Sequence, residues 1–200
     1  SGCALRSAKI MKTLYIISIL HCLISLQLFA KEGVKINLGD SEYVFREKAG
    51  SQFEFTPPKQ DDLKKWSDMI TLINFPDATD GDKLANTANN ILAGYEKTSP
   101  MIVKVESVPR TKAKAAEYLI VAVFVSKEFM EVVYNRMVLH DGKGYAAIYS
   151  HRMYGHHIGQ DVSKWIELNS KVIEKKLMTI PLATIAESIK IAEQDAAPNR

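Results

Sequence analysis

The sequence predicts a single α+β domain over residues 31–200, with an antiparallel β-sheet and helices packed on one face. Four runs rich in β-branched and aromatic residues follow one another in the second half of the chain, at 102–108, 118–125, 129–139 and 145–154. Short connections between such runs require antiparallel pairing, because a parallel return needs a long crossover. Helical segments with one apolar face lie before and after these runs, which is the α+β arrangement.

The predicted domain opens with short strands. Residues 34–38 alternate apolar and polar side chains, as a half-buried strand does, and two further strands are predicted at 43–45 and 53–55. Pro57 and Pro58 end this pairing, because proline has no N–H to donate to a neighbouring strand.

A short helix from Asp61 through Trp66, a strand over 69–75 and a longer helix are predicted next. Thr79 and Asp82 have capping-box spacing at the start of the longer helix. Its buried face is predicted from apolar residues three and four positions apart: Leu84, Ala88, Ile91, Leu92 and Tyr95.

Turn and cap signals divide the second half. The His-Asp-Gly-Lys-Gly run at 140–144 predicts a hairpin, because Asp-Gly accepts the positive φ of a tight turn. Asp161 is predicted to cap a helix with one apolar side, formed by Val162, Trp165, Ile166, Ile173 and Leu177. Pro181 ends that helix, and Ile185, Ile189 and Ile191 indicate a last short helix.

Residues 11–30 have the three parts of a cleavable secretory signal: a basic start at Met11-Lys12, an apolar run over 14–26 and a small residue at Ala30. Residues 1–10 have no place in such a signal and are interpreted as upstream or non-native residues. The alternative is a retained anchor, since 13–30 is close to the shortest length that spans a bilayer.

Cleavage would change the charge and the cysteine content. The chain has 26 Lys and Arg and 23 Asp and Glu. Arg6, Lys9 and Lys12 precede residue 31, so the mature chain has equal numbers of basic and acidic groups, and we expect no nucleic-acid partner. Both cysteines, Cys3 and Cys22, are also in the removed part, which excludes disulfides and thiolate chemistry.

Three histidines form the candidate metal site. His151, His156 and His157 fall within seven residues, and Asp161 offers a carboxylate oxygen. Imidazole binds zinc and copper, so a zinc or copper site is one hypothesis. The spacing matches no established metal motif, and a polar connecting loop gives the same pattern. We therefore expect no cofactor, with zinc or copper as the alternative.

Catalytic motifs are lacking in the sequence. His140-Asp141 could form a general-base pair, but Asp-Gly also has a backbone role in the hairpin turn. There is no Gly-x-Ser-x-Gly elbow for a serine nucleophile and no glycine-rich phosphate loop between a strand and a helix. Catalytic residues therefore stay unknown.

An aromatic and arginine-bearing surface is the more promising feature. Tyr145 and Tyr149 share one strand face by period two, with Arg136, Arg152 and Tyr154 nearby. Tyrosine and arginine are enriched at interfaces, so these five residues are the candidate ligand or partner surface. The alternative is ordinary cross-strand packing.

Two resemblances go with these residues. The Phe-Glu-Phe-Thr-Pro-Pro segment at 53–58 and the stretch at 63–71, with the 134–137 hairpin and the helix of Trp165, resemble small exported bacterial proteins of unknown function. Strands alternating with a Trp-bearing helix are also similar to PsbP-like photosystem-accessory proteins. The first resemblance implies a bacterial, periplasmic setting, and the second implies a binding or assembly role.

The sequence therefore leads to two hypotheses. The first is an exported periplasmic or secreted binding or assembly module, with an unknown protein or small ligand in the cell envelope as its partner. It would meet the membrane only through the signal segment before cleavage. The alternative is a metal-dependent enzyme or metal-binding protein that uses the loop from His151 to His157.

Overall fold

A computed structural model describes residues 33–112, 114–155 and 158–197. Residues 1–10 and the predicted signal at 11–30 lie outside the described residues, as do His156 and His157. In the described part of the chain, no helix combines the length and the apolar character needed to cross a lipid bilayer.

Eight strands and three helices make up the described residues. The strands are β1 Lys35–Leu38, β2 Ser41–Ala49, β3 Gln52–Thr56, β4 Asp68–Phe75, β5 Met101–Val108, β6 Glu117–Val125, β7 Phe129–His140 and β8 Lys143–Tyr154. The helices are α1 Gly81–Lys97, α2 Gly159–Met178 and α3 Leu182–Ala196.

The eight strands form one antiparallel sheet in the order β1-β2-β3-β4-β8-β7-β6-β5. Short turns join β1 to β2, β2 to β3, β6 to β7 and β7 to β8, whereas longer loops join β3 to β4 and β5 to β6. The two halves meet where β4 pairs with β8. This pairing places Asp68 opposite His151 and Ile70 opposite Tyr149, although these residues are about 80 positions apart in the chain. The α+β class and the antiparallel sheet are confirmed.

Helices cover both faces of this sheet. Period two sends Val121, Tyr134 and Ala147 into the larger core under α2 and α3. Their chain neighbours Ile120 and Ala146 belong to a smaller core under α1. The expected packing on one face therefore holds for α2 and α3, while α1 takes the opposite face.

Several predicted local features differ from the structure. Residues 61–66 form turns rather than a helix, and Trp66 is buried there by tertiary contacts. Asp80, one residue after Thr79, caps α1 by accepting a hydrogen bond from the Lys83 N–H at 2.8 Å. Asp161 lies in the first turn of α2 instead of at its cap, where its charge still complements the helix dipole. Ile191 of α3 is exposed.

Candidate functional site

A half-buried carboxylate organises one end of the larger core. Asp68, at the start of β4, accepts hydrogen bonds on Oδ1 from the Tyr149 hydroxyl at 2.7 Å and from His151 Nδ1 at 3.0 Å. Its Oδ2 accepts from the Ser67 hydroxyl at 3.1 Å. An ionised carboxylate only accepts, so Nδ1 of His151 carries the proton in this contact. The β4–β8 register builds the group, because Asp68 and His151 are directly opposite.

The electrostatics of this group keep the charge on Asp68. Burial raises the pKa of Asp68, but the hydrogen bonds from His151 and Tyr149 outweigh it, and the net pKa is lowered. Burial, with the adjacent Asp68 charge, raises the pKa of Tyr149 far above its usual value. Over the physiological pH range, Asp68 is therefore an ionised carboxylate that accepts the hydrogen bond, and Tyr149 is a neutral phenol that donates it.

Trp165 of α2 covers the histidine of this group. The indole stacks on the His151 ring with centroids 4.2 Å apart and planes 3° from parallel. One turn further along α2, the Ser170 hydroxyl accepts a hydrogen bond from Tyr134 at 3.1 Å. These contacts fix the position and rotation of α2 on the sheet, and with them the side chains that α2 presents to solvent.

An open cleft of about 520 Å³ lies beside Trp165. We call it the Trp165 cleft, and its lining residues come from the end of β8 and the first half of α2: Met153, Tyr154, Ile158, Asp161, Lys164, Trp165, Leu168 and Asn169. Leu168 is 68% exposed at its rim. Asp161 and Lys164 add one charge of each sign.

Three of the five residues predicted for the ligand surface are core residues. Tyr145 and Tyr149 do share one face, but this face lies beneath the helices and both side chains are buried. Arg136 is also buried, where it pairs with Glu117 and the carbonyl oxygens at the end of α2. The exposed surface therefore does not include these three side chains.

The other two predicted surface residues lie at the rim of the sheet. The Arg152 guanidinium is held between the Trp66 and Phe129 rings, 3.9 Å and 4.2 Å from their centroids, and Nε donates to Glu131 at 2.8 Å. Tyr154 lines the Trp165 cleft, and its hydroxyl donates to the Trp66 carbonyl at 2.9 Å. Of the predicted surface, Tyr154 alone reaches the cleft.

Of the four candidate metal ligands, the two within the described residues lie in different places. His151 is beneath Trp165, whereas Asp161 lines the cleft on its solvent side. Within residues 33–112, 114–155 and 158–197, no group of three or more His, Cys, Asp and Glu side chains is close enough to hold a metal ion. In the hairpin, His140 Nε2 lies 3.5 Å from Asp141 Oδ2, and Asp141 has the positive φ of 48° that its turn role predicts.

Sequence reasoning missed Asp68 and Leu168. Asp68 acquires its partners only through the β4–β8 pairing, a contact between distant parts of the chain that local patterns do not encode. Leu168 carried a signal: it interrupts the polar face of an otherwise amphipathic helix.

Comparison with known proteins found similarity to solved structures only. No protein-family model matches the chain, and no curated protein matches it. Among solved structures, a point mutant of protein Mog1 matches with a TM-score of 0.41 and 8% identity, covering 81% of this chain and 91% of that one. The Saccharomyces cerevisiae Ran-binding protein Mog1p matches with a TM-score of 0.40 and 8% identity, covering 77% and 82%.

Proposed function

We propose that this chain is an exported binding or assembly module without catalytic activity, and that the Trp165 cleft is its contact surface for a protein or small ligand in the cell envelope. The observation that carries the proposal is the exposed Leu168 beside a half-buried tryptophan on a rigidly held helix. Val172, four residues further along α2, is 53% exposed on the same side. Contiguous exposed apolar side chains mark interaction sites.

The support for α2 makes this surface suitable for binding. The stacked His151–Trp165 pair and the Tyr134–Ser170 hydrogen bond order the helix before any partner arrives. A preordered surface loses less conformational entropy on association. The two charges at the rim, on Asp161 and Lys164, can then select the orientation of a partner.

The Asp68 group supports a structural role for its polar side chains. Asp68 Oδ1 already accepts two hydrogen bonds, and one face of the His151 ring is covered by Trp165. Asp68 and the stacked indole of Trp165 together hold the His151 ring, so the group supports the placement of α2 on the sheet.

The binding proposal is tested by retention of a partner. Residues 31–200 would be incubated with envelope extract of the source organism, purified, and analysed by mass spectrometry as wild type, Leu168→Glu and Lys190→Glu. We expect wild type and Lys190→Glu to retain the same component, and Leu168→Glu to retain at least about tenfold less, as for a central contact residue. Lys190 is the control because it is an exposed residue of α3. A monomer without any retained component, or equal retention by all three, would contradict the proposal.

Export rests on the signal pattern of residues 11–30. Fractionation of the native host, followed by N-terminal sequencing of the product, separates the alternatives. Release near Ala30 into the periplasm or medium supports the proposal, whereas a cytosolic product that still carries Met11 rejects it.

One observation favours the metal alternative enough to test it. His151 donates through Nδ1 to a carboxylate, the arrangement that orients metal-bound histidines and leaves Nε2 as the ligand atom. Metal analysis of the purified mature chain distinguishes a metal protein from a binding module. Stoichiometric zinc or copper that is lost in a His156→Ala, His157→Ala double variant would favour a metal protein over the binding module.

A further inference from the structure

A second pocket lies on the face of the sheet that α1 covers only in part. It has a volume of about 410 Å³, and Thr71, Ser150, Glu131, Tyr95, Phe124 and Phe129 are among its lining residues. We call it the Thr71 pocket. Thr71 alternates with Ile70 and Leu72, which point into the larger core, so this pocket and the Trp165 cleft are on opposite faces. The Thr71 pocket is therefore independent of the function proposed above.

Two hydroxyl groups line this pocket without a protein partner. Thr71 is 9% exposed and Ser150 is 5% exposed. Neither hydroxyl makes a hydrogen bond to any residue in the described part of the chain, so both are open to a ligand in the pocket. The Tyr95 hydroxyl accepts from Asn135 Nδ2 at 3.1 Å, so its own proton remains available to a ligand.

Negative charge predominates around the Thr71 pocket. Glu47 and Glu54 are directly opposite each other on β2 and β3, a pairing in which like charges repel. Glu131 lines the pocket, and Arg152 pairs with it. Burial raises the pKa of Glu54, and the negative charge of Glu47 raises it further. Glu131 is paired with Arg152, so the other carboxylates near the pocket are Glu54, directly opposite Thr71 on β3, and Glu47 on the next strand.

Aromatic rings supply the remaining walls. Tyr95 and Phe124 meet edge to face with centroids 5.0 Å apart. Phe129 already has the Arg152 guanidinium 4.2 Å from its centroid, so this end of the sheet stabilises a cation by ring contact.

We propose that the Thr71 pocket binds a small organic ammonium cation. The carboxylates exclude an anionic ligand and attract a cation, and the rings favour a cation with an apolar, weakly hydrated surface over a metal ion. The free hydroxyls of Thr71 and Ser150 can accept from an N–H or O–H group of the ligand. The volume is within the range of small-molecule sites.

The test compares choline with dimethylbutanol, its uncharged carbon isostere, by calorimetric titration of residues 31–200. We expect choline to bind about tenfold or more tightly than dimethylbutanol, because only the charged probe gains from the rings and carboxylates. Equal affinity of the two probes, or no binding of either, would overturn the proposal.

Variants locate the site. Glu54→Gln and Phe124→Leu should each weaken choline binding by about threefold to tenfold. Glu187→Gln, the same charge change on the distant α3, should leave the affinity unchanged, as should Leu168→Glu in the Trp165 cleft. If Glu187→Gln weakens binding as much as Glu54→Gln, the attraction is a general charge effect and the site is wrong.

Discussion

Arg136 brings a full positive charge into the interior of the domain, where it is 2% exposed. Its Nε donates to Glu117 Oε2 at 2.9 Å, and Nη2 forms an ion pair with the same oxygen, also at 2.9 Å. Nη1 donates to the carbonyl oxygens of Leu177 and Ile180 at 2.9 Å and 2.7 Å. The carbonyls at the end of a helix carry its negative dipole end, so the guanidinium compensates the end of α2. Together with Lys114, which pairs with Oε1, it also compensates the Glu117 carboxylate.

Loss of this guanidinium should therefore be among the most destabilising single changes. We expect Arg136→Met and Glu117→Gln each to lower the free energy of unfolding by about 3–5 kcal/mol, because each leaves a buried charge or helix end without its partner. The double variant should lose less than the sum of the two. Lys190→Met removes an exposed partner of Glu187 and should cost below about 1 kcal/mol. Urea denaturation measures all four, and equal losses for Arg136→Met and Lys190→Met would show that the buried pair contributes little.

At the residue scale, the sequence predicted which side chains are suited to form interactions, but not whether they form them at the surface or in the core. Arg136 and Tyr149 were predicted as surface residues because arginine and tyrosine are frequent at interfaces. The alternation along β7 and β8 indicates only which neighbouring side chains lie on the same sheet face as Arg136 and Tyr149. Whether this face is covered depends on α2 and α3, which pack on it from later in the chain.

At the element scale, the local patterns were the most informative. The second-half strands and the Asp-Gly hairpin agree with the structure to within a few residues, because both depend on near neighbours. The side of the sheet on which α1 packs did not follow from its own amphipathic pattern. Apolar neighbours such as Ile120 and Val121 were the available signal, since adjacent apolar residues in a strand indicate burial on both faces.

The packing of α1 depends on a glycine in the hairpin strand. A Cβ on Gly144 would lie 2.6 Å from the Ala78 Cβ and 3.3 Å from the Phe75 Cβ, in the segment that leads into α1. We expect Gly144→Ala to destabilise the protein by about 1–3 kcal/mol through overpacking. The same change at Gly94, inside α1 with no neighbouring atom within 4 Å, should stabilise it by about 0.5–1 kcal/mol. Thermal and urea unfolding should show changes in stability of opposite sign for the two variants. If Gly144→Ala leaves the stability unchanged, the segment that leads into α1 moves away from residue 144 at little cost.

At the scale of the whole molecule, the sequence predicted the fold class but not the strand order. Close spacing determines that neighbouring strands pair, which accounts for the two halves of the sheet. The β4–β8 pairing that joins them closes a long loop and has no local signature. Both the Asp68 group and the Thr71 pocket are built across this junction, so neither was predictable from patterns along the chain.

Tyrosines distributed through both cores make stability depend on pH as a property of the whole domain. Burial is the main cause that raises the pKa of five of them, with Asp68 adding to the effect at Tyr43 and Tyr149: Tyr43, Tyr95, Tyr134, Tyr145 and Tyr149. A raised folded-state pKa means that the unfolded chain loses its protons first, at about pH 10. The stability that these groups provide is therefore complete below about pH 10 and is lost as the pH rises above it.

We accordingly expect alkaline unfolding in which tyrosinate absorbance and loss of circular dichroism coincide. Tyr43→Phe tests the origin of the effect, because Tyr43 is 4% exposed and makes no hydrogen bond through its hydroxyl to any described residue. Removing one such group should reduce the pH dependence of the unfolding free energy above pH 10 by roughly 1.4 kcal/mol per pH unit, the value for one proton. Tyrosinate that forms at all five positions while the circular dichroism stays native would mean that these phenols reach solvent without unfolding. In that case the two cores open locally, and the tyrosines do not link the stability of the whole sheet to pH.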